Sequence, residues 1–220
     1  MPRILVYSKT VGFRHDSIDD GVRALAELAR EKGWDCEATE DPASFHASRL
    51  ARFDLVLFLN TNGNVLDDAG REALVRFVRS KKAFLGVHGA AATEPDWTWF
   101  GGLVGATFKA HPRIQPALVS VTDALHPSTR HLPALWRRTD EWYGFHESPR
   151  ARARVLLTLD ESSYEPGEGA MGADHPLAWC HEHEGGRSFY TALGHTRESY
   201  EERPFLDHLA GGIAWALGAG

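Results

Sequence analysis

Short apolar runs alternate with amphipathic segments between residues 4 and 87, and this alternation constrains the fold more than any other feature of the sequence. The apolar runs cover 4–7, 55–59 and 83–87, and continuous runs of this length are typical of strands that are covered on both faces. Between them, residues 18–29 and the segment after Asp67 place apolar side chains at helical spacing. Such repetition predicts parallel strands joined by right-handed crossovers, which is a doubly wound, mostly parallel α/β sheet.

The second half of the chain is less regular. Apolar runs there predict four more strands, at 117–121, 155–159, 177–180 and 188–193, and Pro204 suits the first turn of a final helix. Apolar side chains at helical spacing predict the buried face of that helix: Leu206, Leu209, Ile213 and Leu217. The 220 residues contain no internal repeat and no linker-like stretch, so we expect a single domain that spans the chain (1–220).

The charge balance argues against a nucleic-acid partner. The formal net charge is -6, and acidic and basic residues are interleaved rather than gathered into a basic stripe. No apolar run approaches the roughly 20 residues that cross a bilayer, and the N-terminal residues predict a first strand rather than a signal peptide. We therefore expect a cytoplasmic protein with no membrane partner, whose ligand is a small, neutral or weakly charged molecule.

Polar or glycine-rich residues follow three of the predicted strands, at 8–10, 60–62 and 88–89. Doubly wound sheets bind ligands beyond the carboxyl ends of their strands, so these positions predict a crevice there. The strongest local signal is Gly86-Val87-His88-Gly89-Ala90-Ala91, which resembles a nucleophile elbow because small residues flank one functional residue. That residue is His88, which suits an acid, a base or a metal ligand better than a lasting acyl intermediate. The alternative is a glycine-rich connection capped by a histidine.

Two further segments carry candidate acid–base groups. Gly194-His195-Thr196 follows the predicted strand 188–193 and reaches the same crevice if that strand is parallel. In Asp140-Glu141-Trp142-Tyr143, burial of an acid against the tryptophan would raise its pKa toward a useful range. Adjacent residues of a strand face opposite sides, so only one of the two acids can serve the site, and we favour Glu141. The alternative for His195 is a solvated loop histidine, and the alternative for residues 140–143 is a surface turn.

Histidines elsewhere give weaker signals. In Gly12-Phe13-Arg14-His15, between the first strand and the first helix, backbone N–H groups suit an anion or a sugar hydroxyl, and His15 can reach in. The alternative is that these residues serve only the entry into the helix. His181 and His183 share one face of a strand, as a metal site requires, but the acidic residues around them are typical of a solvated strand end.

Motifs follow one another in a fixed order along nearly the whole chain. They are Gly12-Phe13-Arg14-His15, the turn at 86–91, Gly101-Gly102, Phe108, His111-Pro112, Asp140-Glu141-Trp142-Tyr143, the segment 175–179, Gly186-Arg187 and the segment 190–196. Taken together, they resemble the ThuA-like (trehalose utilisation) family. The resemblance implies a class I glutamine-amidotransferase-like, flavodoxin-type sheet, and a role in sugar metabolism connected with oxidised (3-keto) disaccharides.

The resemblance also implies which chemistry is missing. In glutamine amidotransferases the elbow carries a cysteine, and a histidine follows a late strand. By position, His88 replaces that cysteine and His195 resembles that histidine. The two cysteines, Cys36 and Cys180, lie outside the elbow pattern, so glutamine hydrolysis through a thiolate is not expected.

Our leading hypothesis is an enzyme that acts on a sugar or keto-sugar, such as a trehalose-derived disaccharide, by histidine acid–base chemistry. His88 and His195 would be the acid and the base, with assistance from Glu141, and the participation of a divalent metal such as zinc is left open. Hydrolysis, elimination and isomerisation all fit this chemistry. The residues expected to bind substrate are His15, Asn60, Thr61, Gly89, Tyr143 and Thr196.

Two other functions remain open from the sequence. A non-catalytic sugar-binding or regulatory module would keep the fold without turnover. A thiol-dependent amide hydrolase would use Cys180 with a nearby histidine. The segment around Trp97 and Trp99 would suit a homodimer interface.

Overall fold

Strands and helices alternate through the first half of the chain, and strands dominate the second. The computed structural model describes residues 1–218. Its strands are β1 (Arg3–Tyr7), β2 (Asp35–Thr39), β3 (Leu55–Leu59), β4 (Ala83–Val87), β5 (Phe108–Ala110), β6 (Gln115–Val121), β7 (Leu135–Asp140), β8 (Gly144–Phe145), β9 (Arg154–Asp160), β10 (His175–His183) and β11 (Gly186–Thr191). Its α-helices are α1 (Ile18–Lys32), α2 (Ala47–Leu50), α3 (Asp68–Arg79), α4 (Thr98–Val104) and α5 (Arg203–Ala216). None of these helices combines the length and the apolar character that crossing a membrane requires.

Nine of the strands form one continuous sheet, in the order β2-β1-β3-β4-β11-β10-β9-β6-β7. The first five are mutually parallel, and their order is that of flavodoxin-like folds. Ser188 of β11 donates a hydrogen bond to the Leu103 carbonyl of α4, while the adjacent Phe189 packs against Gly212 of α5. Adjacent strand residues point to opposite faces, so helices cover both faces. The predicted doubly wound, flavodoxin-like α/β fold is confirmed.

The other half of the sheet is antiparallel. Strands β10, β9, β6 and β7 continue from β11 with antiparallel pairing throughout, and β5 and β8 form a separate two-stranded ribbon. The apolar runs locate β6, β9, β10 and β11, but a short apolar run does not reveal its partner strand. This antiparallel extension was therefore not part of the prediction.

Local signals at the helix ends agree with the structure. Ser17 is the N-cap of α1, and Gly33 ends the helix with a φ of 69°, which glycine adopts at little cost. Asp67 caps α3 by accepting a hydrogen bond from the Gly70 amide at 2.7 Å. These ends fix where the chain enters and leaves each helix, and so where the loops at the sheet edge begin.

The last helix, α5, buries a broader face than predicted. Of the four predicted positions, Leu209 and Ile213 are buried whereas Leu206 and Leu217 are half-buried. Phe205 and His208 are buried in addition. The reason is a contact that periodicity does not reveal, since Gly211 packs against the backbone of residues 127–128, which cover the helix from one side.

Two histidines are buried in the core on this side of the sheet. His126 lies 2.8 Å from the Ser128 hydroxyl, and His208 Nδ1 donates to the Ser128 carbonyl at 2.9 Å. Burial lowers the pKa of His126 to about 4 and that of His208 to about 3. Both rings are therefore neutral in the folded protein at pH 7.

We expect the free energy of unfolding to fall as the pH falls from about 6.5 toward 4. In this window the unfolded chain protonates these histidines near their ordinary pKa of about 6.5, whereas the folded chain does not. Each such histidine contributes a loss of up to about 1.4 kcal/mol per pH unit. In urea denaturation at several pH values, His208→Gln should make this loss smaller. Ile213→Val, on the same helix, should lower stability by about 1 kcal/mol at every pH without changing the slope. An unchanged slope for His208→Gln would contradict the assignment.

Candidate functional site

His88 lies at a sharp turn directly after β4. Its φ is 44°, which is the left-handed region that costs energy for a residue with a Cβ. The next residue, Gly89, has no room for a side chain, because a Cβ there would lie 2.7 Å from the Thr61 carbonyl oxygen. The Tyr190 hydroxyl donates to the His88 carbonyl at 2.8 Å. The turn thus has the geometry of an elbow, and it directs the His88 ring beyond the edge of the parallel strands.

Beyond that edge, His88 meets two other imidazoles and a carboxylate. Its Nε2 lies 3.0 Å from Nδ1 of His195. Glu141 Oε2 lies 3.4 Å from His88 Nε2 and 3.1 Å from His195 Nδ1. The His15 ring packs edge-on against His88 and His195, with centroid distances of 5.0 Å to both. One potential ligand atom from each of these four residues lies within 4.8 Å of the others. We call His15, His88, Glu141 and His195 the histidine cluster.

The orientation of His88 is fixed by a backbone carbonyl. Its Nδ1 lies 2.7 Å from the Ala192 carbonyl oxygen, which can only accept, so Nδ1 carries the proton. In the neutral ring, Nε2 then presents a lone pair to the cluster. Histidines that bind metals are commonly oriented by such a bond from the second ring nitrogen.

Charge is distributed unevenly within the cluster. Burial raises the pKa of Glu141, but its hydrogen bonds with His195 and His88 outweigh burial and hold that pKa far below the ordinary range. Burial also disfavours a charged His195, yet the hydrogen bond and the charge of Glu141 raise its pKa above the ordinary value. Burial, together with the neighbouring histidines, lowers the pKa of His15 to about 3. The cluster therefore holds an ionised carboxylate beside a neutral His15.

The donor set of the cluster fits a divalent cation such as zinc. Tetrahedral zinc with Zn–N distances of 2.0–2.1 Å places neighbouring donor atoms about 3.3 Å apart, and the distances among His88, His195 and Glu141 are 3.0–3.4 Å. Nδ1 of His15 is buried with no hydrogen-bond partner among residues 1–218. Within those residues, the cluster is the one group of three or more potential ligands close enough to share an ion. His181 and His183 belong to no such group.

A buried ion pair holds the cluster from behind. The Asp140 carboxylate, fully buried at the end of β7, accepts hydrogen bonds from the amides of Gly194 at 2.9 Å and His195 at 3.1 Å. Arg138 lies 3.2 Å from the same carboxylate, and its side chain is 1% exposed. Asp140 thus binds the backbone amide of His195, and the adjacent Glu141 contacts the His195 ring.

Aromatic side chains form a wall beside the cluster. The Tyr143 ring lies against the His88 ring with a centroid distance of 3.9 Å, and Phe108 packs on Tyr143 at 4.3 Å. His111 is stacked on Tyr143 at 6.0 Å, and its Nδ1 lies 3.0 Å from Glu141 Oε1. The His111 side chain is 43% exposed, so this residue connects Glu141 of the histidine cluster with solvent.

Asn60 and Gly89 shape the site from inside the protein. Asn60 is fully buried and donates to the Ser17 hydroxyl at 3.1 Å and to the Gly194 carbonyl at 3.0 Å. Its Oδ1 accepts from the Gly89 amide at 3.4 Å. Asn60 thus ties the His88 turn to the loop that carries His195, and its polar atoms are already occupied.

The two threonines expected to bind substrate also make internal hydrogen bonds. Thr61 is buried, with its hydroxyl 2.7 Å from that of Thr93. Thr196 is half-buried, and its hydroxyl accepts from the Ser199 amide at 3.3 Å. The structure therefore brings His15, Glu141 and Tyr143 to His88 and His195, and both threonine hydroxyls make hydrogen bonds within the protein.

Sequence reasoning missed His111 and Arg138 as residues of the site. The sequence contains His111-Pro112 as a motif, but nothing in its spacing reveals a contact with Glu141. Arg138 is a single basic residue in an alternating strand, and such residues are normally exposed. Its neighbour Arg137 is exposed, so only the tertiary contact distinguishes the two.

Cys180 lies in the core, away from the cluster. Its sulfur is 3.7 Å from His126 Nε2, so a histidine is near, but the two residues are 2% and 1% exposed. Burial raises the pKa of Cys180 to about 12, which disfavours the reactive thiolate.

The family model described as ThuA, trehalose utilisation, matches residues 3–216. No curated protein sequence matches this chain.

Several solved structures share the fold. A ThuA-like protein of Bacteroides uniformis is 24% identical, with a TM-score of 0.83 over 98% of this chain and 91% of that one. A ThuA-like protein of Parabacteroides merdae is 18% identical, with a TM-score of 0.81 over 99% and 90%. A β-galactosidase of Bacillus circulans is 12% identical, with a TM-score of 0.63 over 99% of this chain but 31% of its own. At these identities the likeness concerns the fold alone.

We expect Asp140→Asn to lower the free energy of unfolding by about 3 kcal/mol, because it removes the buried counter-ion of Arg138 and leaves only the more distant, partly exposed Glu202. Urea denaturation measures this loss. The matched control is Glu202→Gln, since Glu202 lies 3.7 Å from the same guanidinium but is 34% exposed, and it should cost less than about 1 kcal/mol. Equal losses of unfolding free energy in the two variants would contradict a larger contribution from the buried Arg138–Asp140 pair.

Proposed function

This chain belongs to the ThuA (trehalose utilisation) family, and on that premise we propose that it is a carbohydrate-metabolism enzyme that acts on a keto-sugar at the histidine cluster. Family membership implies a role related to trehalose utilisation. The observation that carries the proposal is the convergence of His15, His88, Glu141 and His195 at the carboxyl edge of the parallel strands, where such sheets bind ligands.

The cluster is proposed to hold a divalent cation, with zinc as the best fit. Three imidazoles and one carboxylate suit zinc, and two features support the role: the lone pair of His88 Nε2 faces the cluster, and His15 Nδ1 lacks a partner among residues 1–218. With a further coordination position beyond these four residues, such a cation would polarise a carbonyl oxygen and make the neighbouring C–H group more acidic.

His111 is the proposed base. Its Nδ1 lies within hydrogen-bond distance of Glu141 Oε1 and of the Pro112 carbonyl at 2.9 Å, and both oxygens are acceptors. The proton is therefore on Nδ1, and Nε2 of this half-exposed ring is free to take a proton from the carbon beside a sugar carbonyl. The Glu141 carboxylate would stabilise the imidazolium that forms. Without a cation, His88 and His195 remain as the acid–base pair.

Two other functions receive less support. The thiol-dependent amide hydrolase requires a reactive Cys180, and burial with a raised pKa argues against one. A non-catalytic sugar-binding module would need residues that contact the sugar, but no acid or base. The buried ionised carboxylate and the strained His88 turn favour catalysis, because both are expensive to maintain.

We expect about one equivalent of zinc per chain in protein that carries no histidine tag and has been reconstituted with zinc and freed of excess ion. Mass spectrometry of the metal content measures it. His88→Ala should lose the metal because it removes one of the four ligands. His131→Ala, which alters an exposed histidine outside the cluster, should retain it. Wild-type protein without bound metal would contradict the metal site and leave the metal-free acid–base pair.

We expect the protein to exchange the proton beside the carbonyl of methyl 3-keto-α-D-glucopyranoside with solvent deuterium, as followed by NMR. His111→Asn should slow this exchange by about 100-fold, the usual contribution of a general base, while keeping the metal. His88→Ala should lose both the metal and the exchange, and His131→Ala should change neither. Binding of the keto-sugar by the wild type without any exchange or product would instead support the non-catalytic module.

A further inference from the structure

Phe13 is an exposed aromatic residue directly beside the histidine cluster. It is 61% exposed, and its ring meets the buried His15 ring edge-on, with a centroid distance of 4.9 Å and an interplanar angle of 88°. A phenyl ring carries a large apolar surface, and in this position beside a polar site that surface is available to a ligand.

The loop that carries Phe13 is fastened on both sides of it. The Val11 amide donates to the Asn62 carbonyl at 2.7 Å. Gly12 follows with a φ of 112°, and a Cβ on this residue would lie 3.2 Å from Asn62 Oδ1. After Phe13, the Arg14 guanidinium donates to Glu40 at 2.8 Å. The chain on both sides of Phe13 is therefore anchored, and a loop that is fixed in advance lowers the entropy cost of binding.

The distances place Phe13 within reach of a ligand bound at the cluster. The Phe13 ring is 4.9 Å from His15, and His15 is 5.0 Å from His88 and His195. The Phe13 centroid therefore lies within about 10 Å of both cluster rings. A monosaccharide that reacts at the cluster would fill the space nearest to it, so the next ring of a disaccharide would extend toward the rim.

We propose that Phe13 is the stacking platform for the second ring of a keto-disaccharide whose oxidised ring reacts at the histidine cluster. This inference rests on the function proposed above and adds to it a residue that would contact the part of the substrate remote from the reaction. The C–H groups of a pyranose give one face of the ring an apolar character, which an exposed phenyl ring can cover. The nearby Arg14 is already paired with Glu40, which fits a neutral ligand better than an anionic one.

The position of Phe13 assigns it a role in selecting the length of the substrate. Its contact is remote from the reacting carbon and is available only to a substrate with a second ring. A disaccharide should therefore bind more tightly than a monosaccharide with the same oxidised ring. Removal of the ring should therefore affect the two substrates differently.

The test compares kcat/KM for 3-keto-trehalose with that for methyl 3-keto-α-D-glucopyranoside, which lacks the second ring. Phe13→Ala should lower the ratio of the two values about tenfold, mainly by raising KM for the disaccharide. Phe13→Trp keeps an aromatic face and should restore most of the ratio. The control is Leu125→Ala, which removes another exposed apolar side chain, 86% exposed, from the connection after β6; it should leave the ratio unchanged.

Three results would overturn the platform. They are a ratio that stays constant in Phe13→Ala, a ratio that falls equally in Leu125→Ala, and an altered sedimentation coefficient in Phe13→Ala, which would assign the ring to contact between copies of the chain. Failure of the proposed function is a separate outcome, because the wild type would then turn over neither substrate. Unchanged turnover with an unchanged ratio rejects the platform alone.

Discussion

The Asp140 carboxylate links the two halves of the sheet at the place where the site forms. It ends β7, the outermost strand of the antiparallel half, and accepts hydrogen bonds from the Gly194 and His195 amides, which follow β11 of the parallel half. Arg138, on the same strand, supplies the counter-charge. A buried charge is tolerated only when it is paired and hydrogen-bonded, so this carboxylate requires the loop and the strand to keep one relative position. The contact of Glu141 with the His195 ring depends on that position.

The cluster is built on backbone that is costly to form and on side chains that are costly to bury. His88 has a positive φ, Glu141 is ionised in a buried site, and His15 has a buried nitrogen with no partner among residues 1–218. Each feature lowers stability when it is considered alone. Asn60, Tyr190 and the Ala192 carbonyl compensate, since each makes a hydrogen bond that fixes the His88 turn or ring. The surrounding residues thus keep in place an arrangement that the chain would not adopt locally.

Much of the parallel half and the location of the candidate site could be predicted from the sequence, because both depend on local patterns. Buried strands appear as continuous apolar runs, and the residues that follow them meet at one edge whatever the loops contain. This reasoning places His88, His195 and His15 at one edge of the sheet, and they lie close together there in the structure. The antiparallel order β10-β9-β6-β7 depends on pairing between distant strands, which short apolar runs do not encode. For the same reason the sequence did not reveal that His111 contacts Glu141, that Arg138 is buried while Arg137 is exposed, or that the Thr61 and Thr196 hydroxyls are used internally.

The place of β11 in the sheet has a consequence for how the protein folds. This strand pairs with β4 on one side and with β10 on the other, yet it is the last strand in the sequence. A nascent chain can form β1 to β4 early, but the two halves of the sheet have no common strand until residues 186–191 have emerged. The pairing of β4 with β11 spans the whole segment between them, and contacts of such long sequence separation form slowly. The two histidines that face each other across the cluster, His88 and His195, are therefore brought together only when synthesis is nearly complete, so a truncated or stalled chain carries the elbow without its partner.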